Sequence, residues 1–262
     1  MKVIVTGSEG FIGKVLCQEL NKRGYEVVGI DRKKGVEATK VVELVRHGGV
    51  HCVFHLAAQT SVFNSNIEQI RKDNIDTFIK IVDVCNQCRV KLVYASSSTA
   101  YELNTTSMYG ITKHFNEQYA KVYCPSATGC RLHNVYGPNQ RKKTLLWYLM
   151  TKDVVTLYNN GENRRCFTYI TDVVEGLIYA MDCDKQLVNI VNPEPMPIRT
   201  FAREVQCLRE VKIEFSDEIR PLDRAEQQVD SRIFLVPLQY KKVREGLREV
   251  MKAEGQKAEI AE

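Results

Sequence analysis

At 262 residues, with 44% hydrophobic and 26% charged residues, the chain is long enough to bury a core without disulfide staples. The composition excludes intrinsic disorder and collagen-like or coiled-coil architectures. The net charge of +5 is spread over lysines and arginines interspersed with acids, which makes it a solvated mixed surface and not a nucleic-acid footprint.

Strand-like apolar runs are expected at residues 2–6, 26–30, 52–57, 91–95 and 128–132, and helical spacing at 12–22, 37–47, 67–86 and 109–123. The order is βαβα. Strands apolar on both faces and separated by crossover helices imply an α/β, Rossmann-type doubly wound parallel sheet with ligands at the carboxyl ends of its strands. After Asn134-Val135-Tyr136-Gly137-Pro138 the rhythm weakens. The expected organisation is a dinucleotide-binding domain over 1–134, with 168–182 returning to it, and a smaller α/β substrate lobe over 135–262. The stretch 253–262 has few apolar anchors and is expected to fray.

The remaining signals bear on compartment. No apolar run approaches the ~20 residues of a membrane span, so no membrane partner is expected. Strand 2–6 follows Met1 too closely for a secretion signal. Nine scattered cysteines read as reduced thiols of a cytoplasmic protein. Cys85 and Cys88 form a CxxC at a helix end with no second pair or histidine cluster to complete a site, so no metal is expected. The sequon Asn104-Thr105-Thr106 would go unused in that compartment.

Strand 2–6 runs into Gly7-Ser8-Glu9-Gly10-Phe11-Ile12-Gly13 and then into a helix. Gly7 permits the tight turn, Gly10 lets backbone approach a pyrophosphate, and Gly13 lets helix and strand pack closely, while the helix N-terminus offers free N–H groups to the anion. Asp31 ends the second strand, where its carboxylate accepts hydrogen bonds from adenosine ribose hydroxyls and repels a 2′-phosphate. NAD is therefore favoured over NADP. Arg32 softens the preference, since a guanidinium there could hold a 2′-phosphate or be a plain surface charge.

Tyr109 and Lys113 lie four apart on an expected helix and share one face. A free tyrosine titrates near ~10, so a phenolic base working near pH 7 needs about 4 kcal/mol of preference for the phenolate. Lys113 and a cationic oxidised nicotinamide supply charge of the required sign. Upstream, 92–101 reads as a strand delivering the hydroxyls of Ser96, Ser97, Ser98 and Thr99 to its carboxyl end.

These motifs, together with His55-Leu56-Ala57-Ala58, Ser107-Met108-Tyr109-Gly110-Ile111-Thr112-Lys113, Arg131-Leu132-His133-Asn134-Val135-Tyr136-Gly137-Pro138, Arg165-Cys166-Phe167-Thr168-Tyr169-Ile170-Thr171-Asp172 and Arg220-Pro221-Leu222-Asp223, make the chain resemble the extended short-chain dehydrogenase/reductase family. Within it, the likeness is to the NAD-dependent nucleotide-sugar epimerases and dehydratases of the UDP-glucose 4-epimerase type. The resemblance implies Ser97 as the catalytic hydroxyl, four residues before Tyr101, with Tyr109 as base and Lys113 as its partner. It implies cofactor contacts from Gly7, Gly10, Phe11, Ile12, Gly13, Asp31, Arg32, Leu56, Ala57 and Ala58, besides Tyr109 and Lys113. Asn134, Arg165 and Arg220 would hold the substrate's sugar or diphosphate beside Ser97.

The sequence also departs from the family pattern. Ser98-Thr99 replaces the Asp-Glu pair of the dehydratases, which disfavours dehydration, and the decarboxylases' glutamate is absent. The connectors 31–55 and 101–109 are short, and Cys166 replaces the usual acid. The implied activity is C4 epimerisation of a nucleotide-diphosphate sugar through a transient 4-keto sugar, in a homodimer built on the helices 67–86 and 109–123. A nucleotide-sugar reductase or dehydrogenase of the same fold, or a non-catalytic NAD- or RNA-binding relative, are the alternatives.

Overall fold

The computed structural model describes residues 1–61, 66–220 and 223–261. Strand and helix alternate as β1 (Lys2–Thr6), α1 (Phe11–Lys22), β2 (Glu26–Ile30), α2 (Lys40–Arg46), β3 (Val50–His55), α3 (Ile67–Arg71), α4 (Thr77–Cys88), β4 (Lys91–Ser97), α5 (Met108–Tyr123) and β5 (Thr128–Leu132). The helical stretch expected over 67–86 is interrupted by one wide π turn, Lys72–Asp76. There follow β6 (Val135–Tyr136), α6 (Leu145–Thr151), β7 (Val154–Leu157), β8 (Arg164–Cys166), β9 (Thr168–Tyr169), α7 (Ile170–Tyr179), β10 (Leu187–Ile190), β11 (Pro195–Pro197), α8 (Ile198–Gln206), β12 (Lys212–Phe215), β13 (Phe234–Leu235) and α9 (Val243–Ala261). Helix α9 continues past Ala253, where fraying was expected. Its backbone bonds close on carbonyls four residues back and need no apolar anchor.

Two compact units emerge. The first comprises Met1–Leu132, Val173–Ile190 and Gln228–Leu238. Among the described residues its sheet has seven strands in the order β13-β10-β5-β4-β3-β1-β2, every pair parallel. The chain steps from β1 outward to β2 and then returns to β1's other side with β3, so the carboxyl ends of β1 and β3 flank the point where strand order reverses. Ile4, Val53, Leu92 and Tyr94 face α2, α4 and α5, and pack on Val41, Val45, Phe78, Ile81, Val82 and Ala120. The alternate residues Val3, Val5, Cys52, Phe54 and Val93, equally buried, point the opposite way by the two-residue period of a strand. Burying each such side chain contributes roughly 1.5–3 kcal/mol.

The second unit comprises His133–Asp172, Val191–Gln227 and Gln239–Glu262. Among the described residues it carries three two-stranded pairings, β6 with β9, β8 with β11 and β7 with β12. Tyr136, Tyr169, Phe167 and Phe201 form its aromatic core. A glycine is required at Gly246 of α9, because a Cβ there would come within 2.3 Å of the Tyr136 hydroxyl.

All nine cysteines are free thiols. Among the described residues no group of three or more His, Cys, Asp or Glu is arranged to hold a metal, and no helix is long and apolar enough to cross a membrane.

Candidate cofactor site and active site

The first unit builds its glycine turn from backbone that a larger residue could not adopt. Gly7 has φ of 71°, and a Cβ there would lie 2.9 Å from the Ala57 nitrogen. A Cβ on Gly13 would lie 2.0 Å from the Gly7 carbonyl oxygen. Helix α1 starts at Phe11 behind Gly10, with no side-chain cap and no acidic residue in its first turn. The N–H groups of Phe11, Ile12 and Gly13 have no partner inside the helix. An uncapped positive helix end behind a close-packed glycine turn fits a dinucleotide's pyrophosphate.

Thr6 joins this turn to the end of β3. Its Oγ1 accepts from the backbone nitrogens of Leu56 and Ala57, each at 3.2 Å, so its own proton goes to His55 Nδ1 at 2.8 Å. His55 is therefore the neutral tautomer with its proton on Nε2. Burial first, and then the charge of Lys113, push its pKa down to about 3. Leu56, Ala57 and Ala58 thus emerge half-buried beside the glycine turn.

Asp31 stands just past β2 and organises the turn before any ligand does. One carboxylate oxygen accepts from the Glu9 backbone nitrogen and the other from that of Lys33, both at 2.9 Å. Arg32 is already engaged. Its Nε contacts both Glu37 oxygens at 2.8 and 3.0 Å, and its two terminal nitrogens form a fork on Asp73, one of them at 2.8 Å. Burial alone would raise the Asp73 carboxyl, but hydrogen bonds from Arg32, Gln59 and Gln69 outweigh it and bring the pKa down to about 2.

At the carboxyl end of β4 the three serines part company. Ser96 Oγ donates to Glu117 Oε1 at 2.5 Å. Ser97 Oγ accepts from the backbone nitrogen and the hydroxyl of Thr99, at 3.2 and 2.9 Å. Ser98 is buried, and its carbonyl accepts from Asn104 Nδ2 at 3.0 Å. Two donors on Ser97 Oγ leave its own proton available for another acceptor.

Helix α5 is capped by Ser107, whose side chain accepts from the Gly110 nitrogen. Tyr109 therefore sits in the first turn and Lys113 one turn on. A Cβ on Gly110 would come within 2.7 Å of the Thr99 carbonyl oxygen, so this first turn packs against the chain that follows Ser97. Lys113 is 3% exposed. Its Nζ lies 5.9 Å from the centre of the Tyr109 ring and donates to the Ala95 carbonyl at 2.7 Å. Burial pulls the ammonium down to about 8, against the opposing charge of Glu117. The first turn of α5, with Tyr109 and Lys113, is thus packed against the carboxyl end of β4, the strand that ends in Ser97.

Asn134, Arg165 and Arg220 belong to the second unit. Asn134 has φ of 33°, and its Nδ2 donates to the Cys166 carbonyl at 3.2 Å and to Gln227 Oε1 at 2.7 Å. Arg165 pairs with Asp223 and donates to the carbonyls of Arg164 and Arg224, at 2.7 and 2.8 Å. Burial lowers its pKa against the pull of Asp223. The Arg220 guanidinium stacks on Tyr158, 3.4 Å from the ring centre. Asp223 is held by Arg165, while Pro221 and Leu222 of the same motif lie outside the described residues.

The sequence pattern of the NAD dependent epimerase/dehydratase family matches residues 3–192. The chain belongs to this family. UDP-glucuronate 4-epimerase 4 of Arabidopsis thaliana is 28% identical over 80% of the chain, which spans only 64% of that relative's length. Protein CapI of Staphylococcus aureus is 32% identical over 68% of each chain. Among solved structures, the UDP-N-acetylglucosamine 4-epimerase of Methanobrevibacter ruminantium superposes with a TM-score of 0.86 at 22% identity, over 98% of both chains. MoeE5 in complex with UDP-glucose and NAD gives 0.84 at 24%, over 98% of this chain and 100% of that one. At these identities the structures show the fold.

In this member of the epimerase/dehydratase family, several contributors to the site escape sequence reasoning. Asp73 and Glu117 carry no motif of their own. Only Glu117 left a trace, four residues beyond Lys113 on the same helix face.

Proposed function

We propose that the protein catalyses NAD-dependent epimerisation, at C4, of a nucleotide-diphosphate sugar. The reading is carried by the packing of the α5 turn that bears Tyr109 and Lys113 against the end of β4 at Ser97, in the same unit as the uncapped glycine-turn helix. Family membership and the UDP-sugar epimerases among its relatives support it.

Tyr109 takes the proton of the C4 hydroxyl, with Ser97 donating a hydrogen bond to the same oxygen. Lys113 favours the phenolate by through-space charge, in a buried setting where water screens it little. NAD, when bound, supplies the acceptor that takes the C4 hydride and returns it. Between those events the keto sugar would turn over, so that the hydride returns to the other face of C4 while Tyr109 gives its proton back to the C4 oxygen. Asn134, Arg165 and Arg220 are the candidates for holding the diphosphate while the sugar turns, the arginines through their planar forks.

Helix α5 also supports a homodimer. Ile111, Phe115, Val122 and Tyr123 are exposed along it, and Phe115, Tyr119 and Tyr123 stack in a ladder at helical spacing. A second copy would cover this face, in keeping with a cytoplasmic enzyme.

The test is incubation of the purified protein with a panel of UDP-, GDP-, CDP- and dTDP-sugars, with product analysis. One sugar should equilibrate with its C4 epimer, and Tyr109→Phe should abolish turnover while leaving NAD binding intact. Undiminished turnover by that variant, or a net change in cofactor redox state per product formed, overturns the proposal.

A further inference from the structure

The turn after β2 reads Asp31-Arg32-Lys33-Lys34. Three cations in a row beside the residue placed to take the ribose hydroxyls would, left free, attract a 2′-phosphate. The fold occupies all three. Arg32 is clamped between Glu37 and Asp73. Lys34 pairs with the Glu9 carboxylate at 2.9 Å, and Lys33 Nζ donates to the Glu9 carbonyl at 3.3 Å. Glu9 lies inside the glycine turn itself, so cations that could reach a phosphate are held by an acid of the cofactor loop.

The partners differ in strength. Glu37 and Glu9 are solvent-accessible, and such pairs contribute little individually. Asp73 is different, because its side chain is only 6% exposed. It also accepts from Gln59 Nε2 at 3.0 Å. Gln59 is in turn fixed by Asn74, which receives the Gln59 backbone N–H at 2.8 Å and donates to its carbonyl at 2.9 Å. Asn74 Nδ2 reaches Thr112 of α5 at 3.1 Å. Asp73 thus belongs to a braced framework that a ligand cannot rearrange at low cost. Its two oxygens take up the guanidinium fork in the bidentate manner a phosphate would use.

We propose that Asp73, assisted by Glu37, is a specificity-determining residue for the cofactor: it ties Arg32 down so that this cationic turn admits NAD and refuses a 2′-phosphorylated dinucleotide. The inference rests on the cofactor reading given above. It adds a determinant to Asp31, on an element 41 residues away from Arg32 in sequence.

Calorimetric titration of the purified chain with NAD and with NADP tests it without any sugar substrate. Wild type should prefer NAD by about 100-fold, the combined charge of Asp31, Glu37 and Asp73 opposing the added phosphate. In Glu37→Gln/Asp73→Asn the preference should narrow by about tenfold through tighter NADP binding. Adding Arg32→Ala should cancel that gain, since the released guanidinium is what takes the phosphate. Glu37→Gln alone, at an exposed position where folding is not at risk, should shift the ratio in the same direction by less. If the variants bind NAD normally and the ratio does not move, or if the gain survives Arg32→Ala, the inference falls alone. If wild type binds neither dinucleotide, the cofactor reading falls and takes the inference with it.

Discussion

Glu117 of α5 and Arg131 of β5 meet in a buried two-point ion pair, Nε to Oε1 at 2.8 Å and Nη2 to Oε2 at 2.7 Å. Their side chains are 3% and 7% exposed. Ser96 adds a third hydrogen bond to Glu117, and Arg131 Nη1 continues to Asp230 at 3.2 Å. The network pins the helix bearing Tyr109 and Lys113 onto the sheet. Removing one partner strands a buried charge, so Arg131→Met should destabilise the protein by about 3–5 kcal/mol. Replacing both together, Glu117→Leu with Arg131→Met, should recover much of that loss, because the desolvation cost of both ions disappears. Chemical denaturation of the three variants against wild type measures both effects. Equal losses for the single and double replacements would show that the ion pair itself, and not the stranded charge, holds the helix.

His55 gives the fold a definite acid sensitivity. Its pKa is about 3 in the folded chain against an ordinary 6.5. Between those values the unfolded chain binds a proton that the folded chain refuses. Stability is therefore fully present above pH 6.5 and falls as pH drops toward 3, by up to about 1.4 kcal/mol per unit. Denaturation midpoints across pH 4 to 7 should show this slope as roughly one proton. His55→Asn should flatten it, and a slope unchanged in that variant would assign the proton elsewhere.

In the proposed mechanism Lys113 should set the alkaline limit. Burial places its ammonium at about 8, so the cation that favours the Tyr109 phenolate is lost as pH rises through that value. Turnover should fall above it. Lys113→Arg, which keeps its charge at all working pH values, should lose the alkaline fall even if its absolute rate is lower. Lys113→Met should lower kcat by about 100-fold or more across the whole range. A pH–rate profile of each variant decides the matter, and an alkaline limb that persists in Lys113→Arg would place the titrating group elsewhere.

The parts of the site legible in sequence are those whose chemistry is local. The glycine turn, Asp31 at the end of β2 and the Tyr109–Lys113 spacing each depend on residues within one strand, turn or helix, where periodicity and turn chemistry speak directly. Partners brought together only by tertiary folding leave no such trace. Arg32 meets Asp73 across 41 residues and Arg131 meets Asp230 across 99. The return of 228–238 to the sheet, where it supplies β13, is hidden for the same reason, since two residues are too few to show a period. Arg220 has the acids Asp217, Glu218 and Asp223 close by in sequence. The fold instead stacks it on Tyr158, a residue distant in the sequence.

The adjacent serines of β4 offer the cleanest separation of catalysis from architecture, because successive side chains of a strand point to opposite faces. Ser96 bonds Glu117 of α5, while Ser97, the last residue of β4, takes its hydrogen bonds from Thr99. Ser96→Ala removes a hydrogen bond to a buried carboxylate and should cost about 1–3 kcal/mol of stability, with kcat nearly unchanged. Ser97→Ala removes the donor to the C4 oxygen and should lower kcat by about 100-fold, a typical loss for one positioned donor in a water-poor site. Its hydroxyl bonds the neighbouring Thr99, so stability should shift little. Measuring denaturation and turnover on the same two preparations tests the assignment. A large rate loss in Ser96→Ala without one in Ser97→Ala would move the catalytic hydroxyl by one residue and reverse the face on which the sugar binds.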